Sequence, residues 1–114
     1  MSNDEEEIYQ VTAENIRNAM HYGLEEVLLQ MQEEAAELIQ AISKYHRASG
    51  HGAPVELTEE DARRQILEEL ADVIVMTEQL RFYLDFRKDE PDLWEICKRK
   101  IRRTTERRFH ADRE

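Results

Sequence analysis

The sequence predicts an all-α fold: a four-helix-bundle-like protomer with two long antiparallel central helices, assembled as a homo-oligomer. Three observations carry this expectation. Apolar residues recur at helical spacing over two long stretches, Leu24 to about Ala48 and Thr58 to near Asp85, and no stretch of useful length alternates as a strand would. One clear loop, 49–57, separates the two and is broken by Gly50, Gly52 and Pro54, so the long helices pack antiparallel. The second of them is apolar on two sides, with Ile66, Leu70, Val73, Met76, Leu80 and Leu84 on one stripe and Leu67, Ala71, Ile74, Val75 and Phe82 on another. A chain of 114 residues has too few other helices to cover both stripes, which predicts a homo-oligomer, at least a dimer, built on this helix.

Residues 1–10, with Asp4, Glu5, Glu6 and Glu7, are expected to form an acidic flexible tail and 111–114 a short C-terminal one, around a helical domain at 11–110. Thr12 is the expected N-cap of a short first helix carrying Ile16, Ala19 and Met20 on one side, and Gly23 ends it. The second helix follows at once, with Leu24, Leu28, Met31, Ala35, Leu38, Ile39 and Ile42 as its apolar stripe and no Gly or Pro between them. Thr58 caps the third, where Glu59, Glu60 and Asp61 place negative charge in the turn that the helix dipole favours. After Asp85 the chain restarts as a fourth helix with Pro91 in its first turn and a modest apolar side of Leu93, Ile96, Cys97 and Ile101.

The formal charge of −10 and a pI near 4.9 argue against a general binder of nucleic acid or anionic membrane, because the field as a whole repels phosphate. A phosphate ligand needs local help from a metal or from the C-terminal basic run, where seven of the sixteen Lys and Arg residues lie between Lys98 and Arg108. A single cysteine, Cys97, excludes an internal disulfide and a Cys-rich zinc site. With no apolar leader and no run of membrane-spanning length, the expected location is the cytoplasm.

Glu69 sits inside the first apolar stripe of the third helix, and Asp72, three residues on, lies at its edge. Burying an ionised carboxylate is unfavourable unless something positive meets it. The second helix carries Glu34 and Glu37 flanking its own stripe, so antiparallel packing brings one acid pair from each helix toward a single point. Four oxygen donors with no His or Cys among them suit Mg²⁺ or Mn²⁺ rather than zinc. Acid pairs three apart also arise by chance in so acidic a chain, and spacing alone leaves open a solvated acidic surface.

The runs GLEEVLLQMQEEAAELIQAISKYHR, LEELADVIVMTEQL and KIRRTTERRF resemble the MazG-type nucleotide pyrophosphohydrolases, an all-α superfamily. The resemblance covers roughly residues 16–109. That family pairs an E-x-x-E motif on one helix with E-x-x-D on the next, matched by Glu34 with Glu37 and by Glu69 with Asp72. The resemblance implies Mg²⁺-dependent cleavage of a nucleoside triphosphate between its α and β phosphates, catalysed at these four carboxylates in a dimer or tetramer.

Lys100, Arg103 and Arg107 continue the angular stripe begun by Leu93 and Ile96 and are candidates to contact the substrate's phosphates. The helix dipole alone also favours cations there. His46 and His51 are expected at the surface, and Tyr45, Tyr83 and Trp94 either in the core or against a base. A competing reading is a non-enzymatic helical interaction module that works through the basic C-terminal helix. A di-iron carboxylate protein is excluded, because that site needs Glu-x-x-His pairs and the residues three before the four histidines are Asn18, Ser43, Ala48 and Arg107.

Overall fold

The computed structural model describes residues 2–113. They form four helices, α1 (Asn3–Tyr22), α2 (Leu24–Ala48), α3 (Glu59–Leu84) and α4 (Leu93–Arg113), and no strand occurs among the described residues. The all-α expectation holds. No helix among the described residues is long and apolar enough to cross a membrane. The chain divides between Tyr83 and Leu84 into two compact units.

The first unit is three helices running up, down and up. Its register can be read from side chains that meet. Tyr45 Oη donates to Glu59 Oε1 at 3.3 Å beside the loop, while Val27 and Met76 share the core at the far end; α2 and α3 are therefore antiparallel. Asn15 Nδ2 donates to the Val75 carbonyl and to Glu78, both at 3.1 Å. Four residues on along α1, the Ala19 carbonyl accepts from Tyr83 Oη at 2.7 Å, so α1 runs parallel to α3. Gln79, buried, completes the polar link by donating to Asn15 Oδ1 at 2.8 Å. Satisfying these amides inside the packed face ties α1 to a single register on α3. Tyr83 is thus a structural contact.

The sequence expectation for α1 needs correcting. Residues 3–10, expected as a tail, are helical, and Thr12 lies within the helix rather than at its cap. The cap is Ser2: its Oγ accepts from Glu5 N–H at 3.2 Å and its own N–H donates to Glu5 Oε2 at 3.1 Å. This reciprocal pair satisfies two helix-end groups, and Asp4, Glu5 and Glu6 in the first turn complement the dipole. At the other end, α4 runs through Arg113 where a tail was expected from 111. Met1 and Glu114 lie outside the described residues.

The buried face of α2 is also turned, by about 50°, from the predicted apolar stripe. Val27 and Ala41 are buried while Leu28, Ile39 and Ile42 face out. On α3 the second stripe is uncovered as expected, Ile74 being 67% and Leu67 53% exposed. The core of this unit is small: Ala19, Val27 and Met76, with Met31, Leu80 and Tyr83 packed on them.

In the second unit, Asp85 accepts the Leu93 N–H at 3.1 Å and Asp92 the Glu95 N–H at 2.9 Å. Asp92 therefore takes the capping part at the start of α4. Pro91 stands just ahead of the helix rather than in its first turn.

Gly23 joins α1 to α2 at φ 86°, ψ 161°, a region open essentially to glycine alone. Its N–H donates to the Ala19 carbonyl and its own carbonyl accepts from Val27, at 3.0 and 3.1 Å. A Cβ here would touch nothing within 4 Å, so substitution tests the backbone alone. Gly23→Ala is expected to lower stability by about 1–3 kcal/mol, measured by urea unfolding. An unchanged midpoint would show that the hinge can relax.

Candidate metal centre

The antiparallel register brings together the two acid pairs. One oxygen each from Glu34, Glu37, Glu69 and Asp72 lies within 4.8 Å of all the others. The pairs face one another crosswise, Glu34 against Asp72 and Glu37 against Glu69. Because the buried face of α2 is turned, Glu34 stands well inside it and is half-buried, whereas the sequence placed it at the flank. Glu69 is half-buried as well, and Glu37 and Asp72 are exposed at the rim.

Two oxygens in this cluster, Glu34 Oε2 and Glu69 Oε2, are buried and accept no hydrogen bond. Desolvation raises the Glu69 carboxyl above its ordinary value, and the negative charges of Glu37, Asp72 and Glu34 raise it further. At Glu34 a hydrogen bond from Gln30 pulls the other way, but desolvation and the charges of Asp72 and Glu37 outweigh it and the net shift is upward. Carboxylates facing one another without a cation disfavour their own ionised forms.

These residues fit a hard divalent cation. Opposite ligands of an octahedral Mg²⁺, at about 2.1 Å each, lie about 4.2 Å apart. The observed spread is wider by a few tenths of an ångström, a gap within the freedom of the exposed Glu37 and Asp72 side chains. The orphaned Oε2 atoms have lone pairs that no protein donor takes up, and the all-oxygen donor set matches Mg²⁺ or Mn²⁺.

One turn along both helices, a cavity of about 330 Å³ is lined by Tyr22, Glu26, Val27, Gln30, Met76 and Gln79, at the lower end of the range of small-ligand pockets. Sequence reading did not single out Gln30. Its signal was present as a Gln four residues before Glu34, a spacing at which helical side chains meet. His46 and His51 are exposed, their rings 6.3 Å apart. Lys100, Arg103 and Arg107 stand exposed on α4, in the second unit.

Linkage gives the cluster a testable sign. An acid whose folded-state pKa is raised binds its proton more tightly in the folded chain. Its contribution to stability is therefore complete below the unfolded value of 4.5 and is lost as pH rises through the folded value. In EDTA, Glu69→Gln should be no less stable than wild type at neutral pH, and should lose less stability than wild type as pH rises from the acid side. With Mg²⁺ added, wild type should gain melting temperature and the variant little. A large loss of melting temperature for the variant in EDTA would refute the assignment, since it would mean that Glu69 neutralises a cation of the fold. In comparisons with protein-family models, curated proteins and solved structures, the chain has no match.

Proposed function

We propose that this chain is a Mg²⁺-dependent nucleoside triphosphate pyrophosphohydrolase, of the MazG type it resembles, cleaving between the α and β phosphates to release a monophosphate and pyrophosphate. The observation that carries the reading is the convergence of four hard oxygen donors from two opposed helices, two of them with buried oxygens that nothing else satisfies. Glu34, Glu37, Glu69 and Asp72 hold the metal, with Mn²⁺ as a substitute. When bound, Mg²⁺ neutralises and polarises the triphosphate for attack by water at phosphorus. The helices present the donors already gathered, so little reorganisation accompanies binding. The neighbouring cavity has room for the nucleoside end of the substrate.

So acidic a centre leaves phosphate charge to be met by cations. Lys100, Arg103 and Arg107, exposed on one stripe of α4, are cations of the kind that a triphosphate needs, from this copy or from another in the assembly. The uncovered apolar residues of α2 and α3, among them Ile39, Leu67, Ile74 and Val75, support assembly of a four-helix-bundle-like protomer into a homo-oligomer through these helices. Clearing unwanted nucleotides from the cytoplasm suits such a reaction. The competing reading, an interaction module acting through α4, is favoured by the exposure of that helix, which buries none of its described side chains fully.

A panel of canonical and modified nucleoside triphosphates with Mg²⁺ separates the two, and pyrophosphate with no accumulating diphosphate is the expected product. Phosphate with diphosphate would contradict the proposed bond cleavage, and no turnover of any nucleotide would favour the module. Glu69→Gln should lower activity by at least about a hundredfold. Lys100→Ala or Arg103→Ala should lower kcat/KM by at least about tenfold while leaving Mg²⁺ affinity nearly unchanged. Light scattering at micromolar concentration should find a dimer or larger species, and a stable monomer would sink the assembly.

A further inference from the structure

We infer that Gln30 is a positioning residue for the metal centre: its side-chain amide holds one oxygen of Glu34 so that the other is presented to the cluster. The inference rests on the metal-centre reading of the four carboxylates. Gln30 Nε2 donates to Glu34 Oε1 at 2.6 Å, a short contact of the kind made to a charged acceptor. The two oxygens of Glu34 consequently differ. Oε1 is engaged from the solvent side, while Oε2 is buried and free of hydrogen bonds, one of the two orphaned atoms that mark the centre.

The physical need for such a clamp comes from the cluster itself. A glutamate beside three other carboxylates gains by swinging away from them into water, and Glu34 has the negative charges of Glu37 and Asp72 to turn from. A donor placed one helical turn earlier opposes that swing. The identity of the donor matters too. Lys or Arg at position 30 would hold Glu34 equally well, but would put a positive charge where a divalent cation must enter. The amide donates without a net charge, so it orders the ligand and leaves the attraction for the metal intact. Residues that orient metal ligands in this way commonly change metal affinity by about ten- to a hundredfold when replaced.

The test is calorimetric titration of the full chain with Mg²⁺ and with Mn²⁺, comparing wild type, Gln30→Met and Glu34→Gln, alongside metal-free melts. Methionine matches the length and helix propensity of glutamine but has no donor. Gln30→Met is expected to bind Mn²⁺ about ten- to a hundredfold more weakly with the metal-free melting temperature of wild type, and Glu34→Gln more weakly still. Equal affinity of wild type and Gln30→Met overturns the inference while the metal centre stands. A metal-free melting temperature that falls along with the affinity overturns it as well, since the amide then supports the helix rather than the ligand. A wild type that binds neither ion overturns the metal centre itself, so the two failures are distinct.

Discussion

Glu34 and Glu37 meet Glu69 and Asp72 because α2 and α3 run antiparallel in a register held at both ends, by Tyr45 on Glu59 beside the loop and by Val27 with Met76 in the core. With those ends in place, the middle of each helix has little freedom, and four like charges face one another. That juxtaposition is unfavourable in itself. It raises the Glu34 and Glu69 carboxyls and leaves two buried oxygens without partners. Local conflict of this kind recurs at functional sites.

The surroundings here are lean. Ala19, Val27 and Met76 form the centre of the core, and four of the contacts that fix α1 are polar: Asn15 to the Val75 carbonyl and to Glu78, Gln79 to Asn15, and Tyr83 to the Ala19 carbonyl. Directional bonds of this kind specify register more sharply than they add stability. Much of the apolar surface of α2 and α3 is left outside, and the two faces of α3 divide the work. One holds the carboxylates against α2 and the other, through Leu67 and Ile74, stands free. The carboxylate cluster and the uncovered apolar residues of α3 thus lie on different sides of one helix.

Much of this was legible in the linear pattern, residue by residue. The bounds of α2 and the placement of Glu69 within an apolar stripe followed from helical spacing, because a 3.6-residue period assigns faces without reference to any neighbour, and the cap at Thr58, whose Oγ1 accepts the Asp61 N–H at 3.1 Å, followed from a hydroxyl ahead of an acidic first turn. The start of α1 did not, although its signal was present: Ser2 and Glu5 have the spacing of a reciprocal cap, and the acidic run drew the reading toward a tail. The face of α2 was legible only coarsely. Its predicted stripe weighted every large apolar residue equally, whereas the buried face is the one that α1 and α3 leave room for, so Val27 and Ala41 went in and Leu28 and Ile39 stayed out.

The sequence by itself determined that four helices form, roughly where each begins and ends apart from the start of α1, and that two acid pairs lie on the second and third, since these depend on local backbone preferences and on which residues are three or four apart. Only the tertiary structure decided that Glu34 pairs across to Asp72 and Glu37 to Glu69, that one oxygen of Glu34 is taken by Gln30 and the other left orphaned, and that the basic stripe of α4 belongs to a separate compact unit. The reason is one of range. Helical period reaches only along a single helix, while the rotation of α2 about its axis is set by contacts between Val27 and Met76, nearly fifty residues apart, and a turn of some tens of degrees is enough to move a carboxylate from solvent into the centre of a site.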